Sequence, residues 1–178
     1  RTCIAEGATS PALRKNVQFL GSESLLRGEL AFREGDASTA LNHYLRAVKL
    51  LRDGKRDAEE SNALAQLARV HLALGDAPAA LAATRRATAI HRKHDLAPIQ
   101  GMTPAMVWWE HSRALKANRR ESDACKALET AYEFMRTGIA GVSDEGLRRN
   151  YLNKIEWHRE IIGAWLDIRP GSGNSNAP

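Results

Sequence analysis

Cysteine is nearly absent from this chain: Cys3 and Cys125 are the two among 178 residues. They supply neither a disulfide framework nor the clustered ligands of a structural metal site, which favours a reduced compartment, the cytoplasm, over a secreted one. Proline is sparse, at six residues, and nowhere do Val, Ile, Thr, Tyr or Phe alternate with polar residues over a strand's length. No β segment is expected. Long apolar runs are missing too, since none approaches the roughly 18 residues of a membrane span. The opening RTCIAEGATS lacks the apolar core of a secretory signal. Glycines stand singly, so there is no loop to cradle a nucleotide's phosphates.

A net charge of +5 could signal nucleic acid, but the 26 basic residues are interleaved with 21 acidic ones. With no concentrated basic stripe and no aromatic stacking set, a solvated, salt-bridged surface is the better reading and nucleic acid is not expected. No catalytic constellation is visible. His91 and His94 in HRKH lack a neighbouring Cys, Asp or Glu set that would hold a metal. Cys125 sits among Ala124, Ala127 and Leu128, a setting that suits a packed small residue rather than a nucleophile. The expectation is a non-enzymatic protein without metal, cofactor or membrane association.

What the chain has in quantity is Ala, Leu, Arg and Glu, the strong helix formers. It also repeats itself. GDASTALNHYLRA at 35–47 returns as GDAPAALAATRRA at 75–87, a period of 40 residues. Gly28, Gly35, Ala40, Tyr44 and Ala47 align with Ala68, Gly75, Ala80, Thr84 and Ala87. A weaker third copy places Ser112, Arg119, Ala124, Leu128 and Ala131 in the same order. Each copy reads as a helix, a tight turn and a second helix whose small residues admit a close partner. Gly35 and Gly75 suit the left-handed turn that ends a first helix, and Asp36 and Asp76 can cap the second. In the third copy Arg119 and Arg120 replace the glycine turn. The copies span about 21–54, 58–94 and 104–137, and the loops between them, RDGKRD and HDLAPIQGMTP, account for the stretched period. PALRKNVQFL, from Pro11, reads as a preceding helix.

After GIAGVS, Leu147, Tyr151, Ile155, His158, Ile162 and Trp165 form one stripe, which predicts a single long helix over 143–166. Such a stripe must be covered, either by capping the last repeat or by pairing with a second copy of the chain. Residues 1–10 and 167–178 have linker composition, and a chain opening on Arg1 and closing on GSGNSNAP reads as a piece of a longer protein.

These features resemble the tetratricopeptide repeat, a helix-turn-helix unit of about 34 residues. Gly28, Gly35, Ala40, Tyr44 and Ala47 match its signature in the first copy, Trp108 takes the signature tryptophan's place in the third, and the longer units resemble the extended subclass. The resemblance implies an all-α, right-handed superhelix of stacked antiparallel helix pairs with a long C-terminal capping helix. It further implies a concave groove, lined by first helices, that binds protein or peptide. Carried onto this register, the groove takes Ser22, Leu25, Glu29 and Phe32, then Asn62, Gln66, Arg69 and Ala73, then Met106, Trp109, Glu110, Arg113 and Lys116. Arg69, Arg113 and Lys116 make one end basic and suit an acidic peptide.

Trp108 and Trp109 point about 100° apart on a helix, so Trp108 is expected in the core, and Trp109 either packs against a neighbouring helix or the 94–104 loop or stands partly exposed as a candidate ligand anchor. Leu25 and Glu29 stand where the family's carboxylate clamp has Lys and Asn, which disfavours that mode. The C-terminal region is similar to the ends of helical repeat regions in multidomain bacterial regulators, which implies a place in a signalling protein. Trp157 lies off the long stripe and marks a possible homodimer surface for the alternative, a structural coupler.

Overall fold

The computed structural model describes residues 17–97 and 101–168. The expected linker at 1–10, most of the one at 167–178 and the beginning of the helix expected from Pro11 lie outside them. Among the described residues there are eight helices and no strand. In chain order they are α1 Val17–Arg33, α2 Ala37–Asp53, α3 Asp57–Ala73, α4 Ala77–Lys93, α5 Pro104–Ala117, α6 Glu121–Ala140, α7 Glu145–Lys154 and α8 Glu156–Ile168. α1 packs on α2, α3 on α4 and α5 on α6, and the pairs stack through α2 with α3 and through α5 with both helices of the second pair.

The first four helices have 17 residues each, joined by three-residue turns. The 40-residue period therefore resides in long helices, not in an insertion at RDGKRD, where the connection is Gly54, Lys55 and Arg56. Only the α4–α5 connection is long. Val17 to Leu20, read as part of a separate preceding helix, instead begin α1.

The four three-residue turns, α1–α2, α2–α3, α3–α4 and α5–α6, close in the same way. The amide of Asp36 donates to the Ala31 carbonyl at 2.9 Å, Arg56 to Leu51 at 2.9 Å, Asp76 to His71 at 2.8 Å and Arg120 to Leu115 at 3.0 Å. This six-to-one bond requires a left-handed residue just before it. Gly35 (φ 84°) and Gly75 (φ 79°) take that place, but so do Lys55 (φ 55°) and Arg119 (φ 58°). Arg119 thus adopts the glycine geometry that its side chain disfavours, at a cost of about 1–2 kcal/mol. Asp36 and Asp76 accept from the amides of Thr39 and Ala79 at 2.9 and 3.0 Å, capping α2 and α4.

The core follows the repeat alignment. Ala40, Ala47, Ala80, Ala87 and Ala131 are fully buried and Ala124 nearly so, bringing the second helices close to the first. A Cβ on Gly28 would stand 3.1 Å from the Tyr44 ring, so the small residue makes room for the aromatic one. Trp108 is buried as expected, and its Nε1 donates to His91 Nδ1 at 3.0 Å. Burial holds His91 below its ordinary pKa, in keeping with a neutral ring that accepts this bond. Cys125 departs from expectation: it is exposed, at the edge of α6.

The long C-terminal helix is in fact two. The backbone turns extended at Ile155 (φ −89°, ψ 115°), ending α7 and starting α8. The orphaned last carbonyls of α7 find partners on α8: His158 Nδ1 donates to Tyr151 O at 2.5 Å and Arg159 Nη1 to Asn153 O at 2.6 Å. The break divides the predicted stripe. His158 and Ile161 are buried, the Trp165 ring stacks on Tyr132 at 4.6 Å, and Leu147 is left 62% exposed. α8 lies against α6 and α5.

Candidate binding groove

The first helices α1, α3 and α5 form one face of the stack. Toward their N-terminal ends, Leu25 and Glu29 of α1, Asn62 and Gln66 of α3, and Met106 of α5 line a recess of about 380 Å³. Toward their C-terminal ends lies a second, of about 280 Å³, walled by Phe32, Arg69, Leu72, Met106, Glu110 and Arg113 and closed by Glu156, Trp157 and Glu160 of α8. Met106 belongs to both, so the two recesses share a wall.

Each expected groove residue has a definite place. Asn62 ties the α4–α5 connection to α3: its Nδ2 donates to Gly101 O at 2.7 Å and its Oδ1 accepts from the Thr103 amide at 2.9 Å. Its amide therefore holds a loop rather than standing free for a ligand. Gln66 reaches Met106 Sδ at 3.4 Å. Ser22 is exposed. Lys116 is exposed as well and lies beyond Arg113, in a shallow recess shared with Trp109, Cys125 and the end of α8.

Trp109 takes the packed alternative and not the exposed one. It is 8% exposed, and its indole Nε1 donates to Glu160 Oε2 at 2.8 Å across the contact with α8. It anchors α8, and what little of it stays exposed lines the shallow recess beside Lys116. Trp157, expected as a dimer surface, is half-buried and turns into the cleft beside Glu156 and Glu160. Both placements have one cause, because the break at Ile155 lays α8 along the groove instead of leaving it an outward ridge.

The basic end is also not what the spacing suggests. Arg69 Nη2 lies 3.5 Å from Glu29 Oε2, with its guanidinium 4.4 Å from the centre of the Phe32 ring. Arg113 Nη1 meets both oxygens of Glu110, at 3.1 and 3.2 Å. Burial pushes Glu29 up, but the bond from Arg33, the charge of Arg69 and the Tyr44 hydroxyl outweigh it and hold the carboxyl below the ordinary range. Glu110 is different: at 3% exposure, burial dominates over Arg113 and Arg69, Glu160 adds repulsion, and its pKa is pushed up to about 7. Two arginines thus face Glu110, Glu156 and Glu160 within one cleft, whose charge is balanced or negative rather than positive.

Leu72, Glu156 and Glu160 were not identified as groove residues. For the two glutamates the missing signal was the path of α8, which brings residues some 50 positions away onto α5 through a tertiary contact. Among the described residues no group of three or more His, Cys, Asp or Glu side chains could hold a metal ion, and no helix is long and apolar enough to cross a membrane.

No family model matches the sequence, and neither does any curated protein. A solved structure does match in shape: the crystal structure of the TPR domain of Arabidopsis FLU superposes with a TM-score of 0.59 over 68% of this chain and 98% of that one, at 16% identity. The chain has the tetratricopeptide-repeat fold. At that identity the similarity is one of backbone architecture, and the groove side chains of this repeat stack stand on their own geometry.

Proposed function

We propose that the chain is a non-catalytic protein-binding module whose groove receives a peptide segment presenting an apolar side chain beside a basic one. The observation that carries this is the 280 Å³ cleft, where Phe32, Leu72, Met106 and Trp157 offer apolar contact beside Glu156 and Glu160. Arg69 and Arg113 are already engaged by Glu29 and Glu110, so an acidic peptide, the ligand suggested by the sequence, would have to displace those pairs. Stacked helices pre-order these groups, and a ligand need not also order its receptor. The resemblance to repeat regions of bacterial regulators supports a place in a larger cytoplasmic signalling protein.

The test is binding by fluorescence anisotropy of labelled octapeptides that differ only in charge, Leu-rich with either Lys or Glu. The Lys series should bind, and Glu156→Lys with Glu160→Lys should invert the preference. Equal binding of both series, or tighter binding of the Glu series to the unaltered protein, would refute the assignment.

A second reading, the homodimeric coupler, is favoured by Leu147, Leu166 and Ile168, which are 62, 54 and 42% exposed on the α7–α8 hairpin. Light scattering on the full chain and on one ending at Ala140 tests it. A dimer that becomes a folded monomer on truncation supports the coupler, and a full-length monomer refutes it.

A further inference from the structure

The opposite side of the stack holds a cleft that the groove does not use. It lies between the second helices α4 and α6, over the floor provided by α5, and is an open recess of about 550 Å³. Arg85 and Arg92 stand on the α4 wall, Arg120 and Lys126 on the α6 wall, and Trp108 and His111 lie beneath. One carboxylate, Asp123, lines the cleft with them, and Arg120 Nε already donates to it at 3.0 Å.

Many arginines elsewhere are paired, although Arg46, Arg119 and Arg149 among the described residues are not. Arg86, one residue from Arg85, meets Glu60 at 2.6 Å, Arg113 meets Glu110 and Arg136 meets Glu133 at 2.8 Å. Among the described residues Arg85, Arg92 and Lys126 make no ion pair. Arg92 has a 3.4 Å contact to Thr88 Oγ1 and lies 4.9 Å from the centre of the Trp108 ring. These three cations are exposed around one concavity with Asp123 as its single carboxylate, so they are available to something negative that enters it. The floor registers their field: His111 is driven down to about 4, first by burial and then by Arg92, Arg85 and Arg120.

We propose that this cleft binds a compact soluble polyanion carrying two or more phosphate groups. The dimensions favour that class over an acidic peptide. Arg85 and Arg92 are seven residues apart on α4, about 10 Å at 1.5 Å per residue. An extended peptide spans that length in about three residues and turns alternate side chains to the cleft, so it offers about two carboxylates. Two phosphate groups bring about −3 to −4 of charge and about six acceptor oxygens into the same space. Guanidinium forks are suited to bidentate contact with them, and the volume of the recess falls within the roughly 300–1,000 Å³ usual for small-ligand sites.

The experiment is isothermal titration of the full chain with inorganic pyrophosphate and tripolyphosphate, beside an octaglutamate peptide and an eight-residue oligothymidylate. The expected result is one saturable site for the phosphates. The affinity should fall at least tenfold in Arg85→Gln with Arg92→Gln, and be unchanged in Arg46→Gln, an exposed arginine on α2. Because Arg92 covers Trp108, Arg85→Gln with Lys126→Gln, which leaves that contact intact, serves as a second variant and should show the same loss. No saturable phosphate binding, binding indifferent to either double variant, or tighter binding of octaglutamate or oligothymidylate would overturn the proposal.

Discussion

Replacing Glu110 by Gln should make the protein more stable at pH 8 and leave it nearly unchanged at pH 4.5. Glu110 is almost wholly buried on α5, with Arg113 on its two oxygens, and its pKa stands at about 7 against an ordinary 4.5. The folded pKa is raised, so the fold holds a proton that the unfolded chain has released between those two values. That contribution is complete below pH 4.5 and is lost as the pH rises through about 7. At about 1.4 kcal/mol per unit, ionising Glu110 costs the folded state about 3 kcal/mol. Gln keeps a carbonyl oxygen for Arg113 and never ionises, so the variant escapes that cost. The histidines act in the opposite sense: burial holds His43, His91, His111 and His158 below 6.5, and their contributions are lost as the pH falls. The difference between the two proteins is therefore the quantity to measure, by urea unfolding at intervals from pH 4.5 to 8. The variant's advantage should grow to about 3 kcal/mol, or roughly 6–12 °C in Tm for a chain of this size. Parallel pH profiles, or a variant less stable at pH 8, would refute the assignment of a buried, near-neutral carboxyl.

Gly75→Ala should lose about 1 kcal/mol by forcing a Cβ into the left-handed turn at φ 79°, while Arg119→Gly, relieving φ 58°, should gain up to about 1 kcal/mol; denaturant midpoints check both. Gly21→Ala would place a Cβ 2.7 Å from Leu51 Cδ2 and should cost about 1–3 kcal/mol by overpacking, despite alanine's better helix propensity. Trp109→Phe removes the indole bond to Glu160. A charge-assisted bond is worth about 1.5–3 kcal/mol, so amide exchange across α8 should rise at least tenfold by mass spectrometry while α1 to α4 stay unchanged.

The parts legible in the sequence are those fixed by rules acting over a few residues. A glycine followed by aspartate marks a left-handed turn and a cap, and alanines at fixed offsets mark close helix contacts, so the turns and the helix pairs could be read directly, while the groove comes only with the family resemblance. Arg119 shows the limit: the turn persists without its glycine because the surrounding helices impose it. The break at Ile155 carries no proline or glycine, and its support comes from His158 and Arg159 reaching back to α7. The position of α8, the burial of Trp109 and the cleft face of Trp157 all depend on that break. None could be inferred from periodicity, which treats 143–166 as one rod.

The charge of the groove makes the same point energetically. Spacing places Arg69 and Arg113 on one face, but their availability depends on Glu29 and Glu110. A carboxylate ligand that recruited Arg113 would leave Glu110 buried without its partner, and breaking such a pair costs about 3–5 kcal/mol. Proton uptake by Glu110 lowers that cost, so an acidic ligand is tolerated best below pH 7, where the carboxyl is neutral. A basic ligand side chain has the opposite linkage, since it favours the ionised form and gains from rising pH. The groove's preference for cationic partners should therefore sharpen as Glu110 loses its proton, while the phosphate cleft on the far side, whose cations face no buried acid, should show no such dependence on that group.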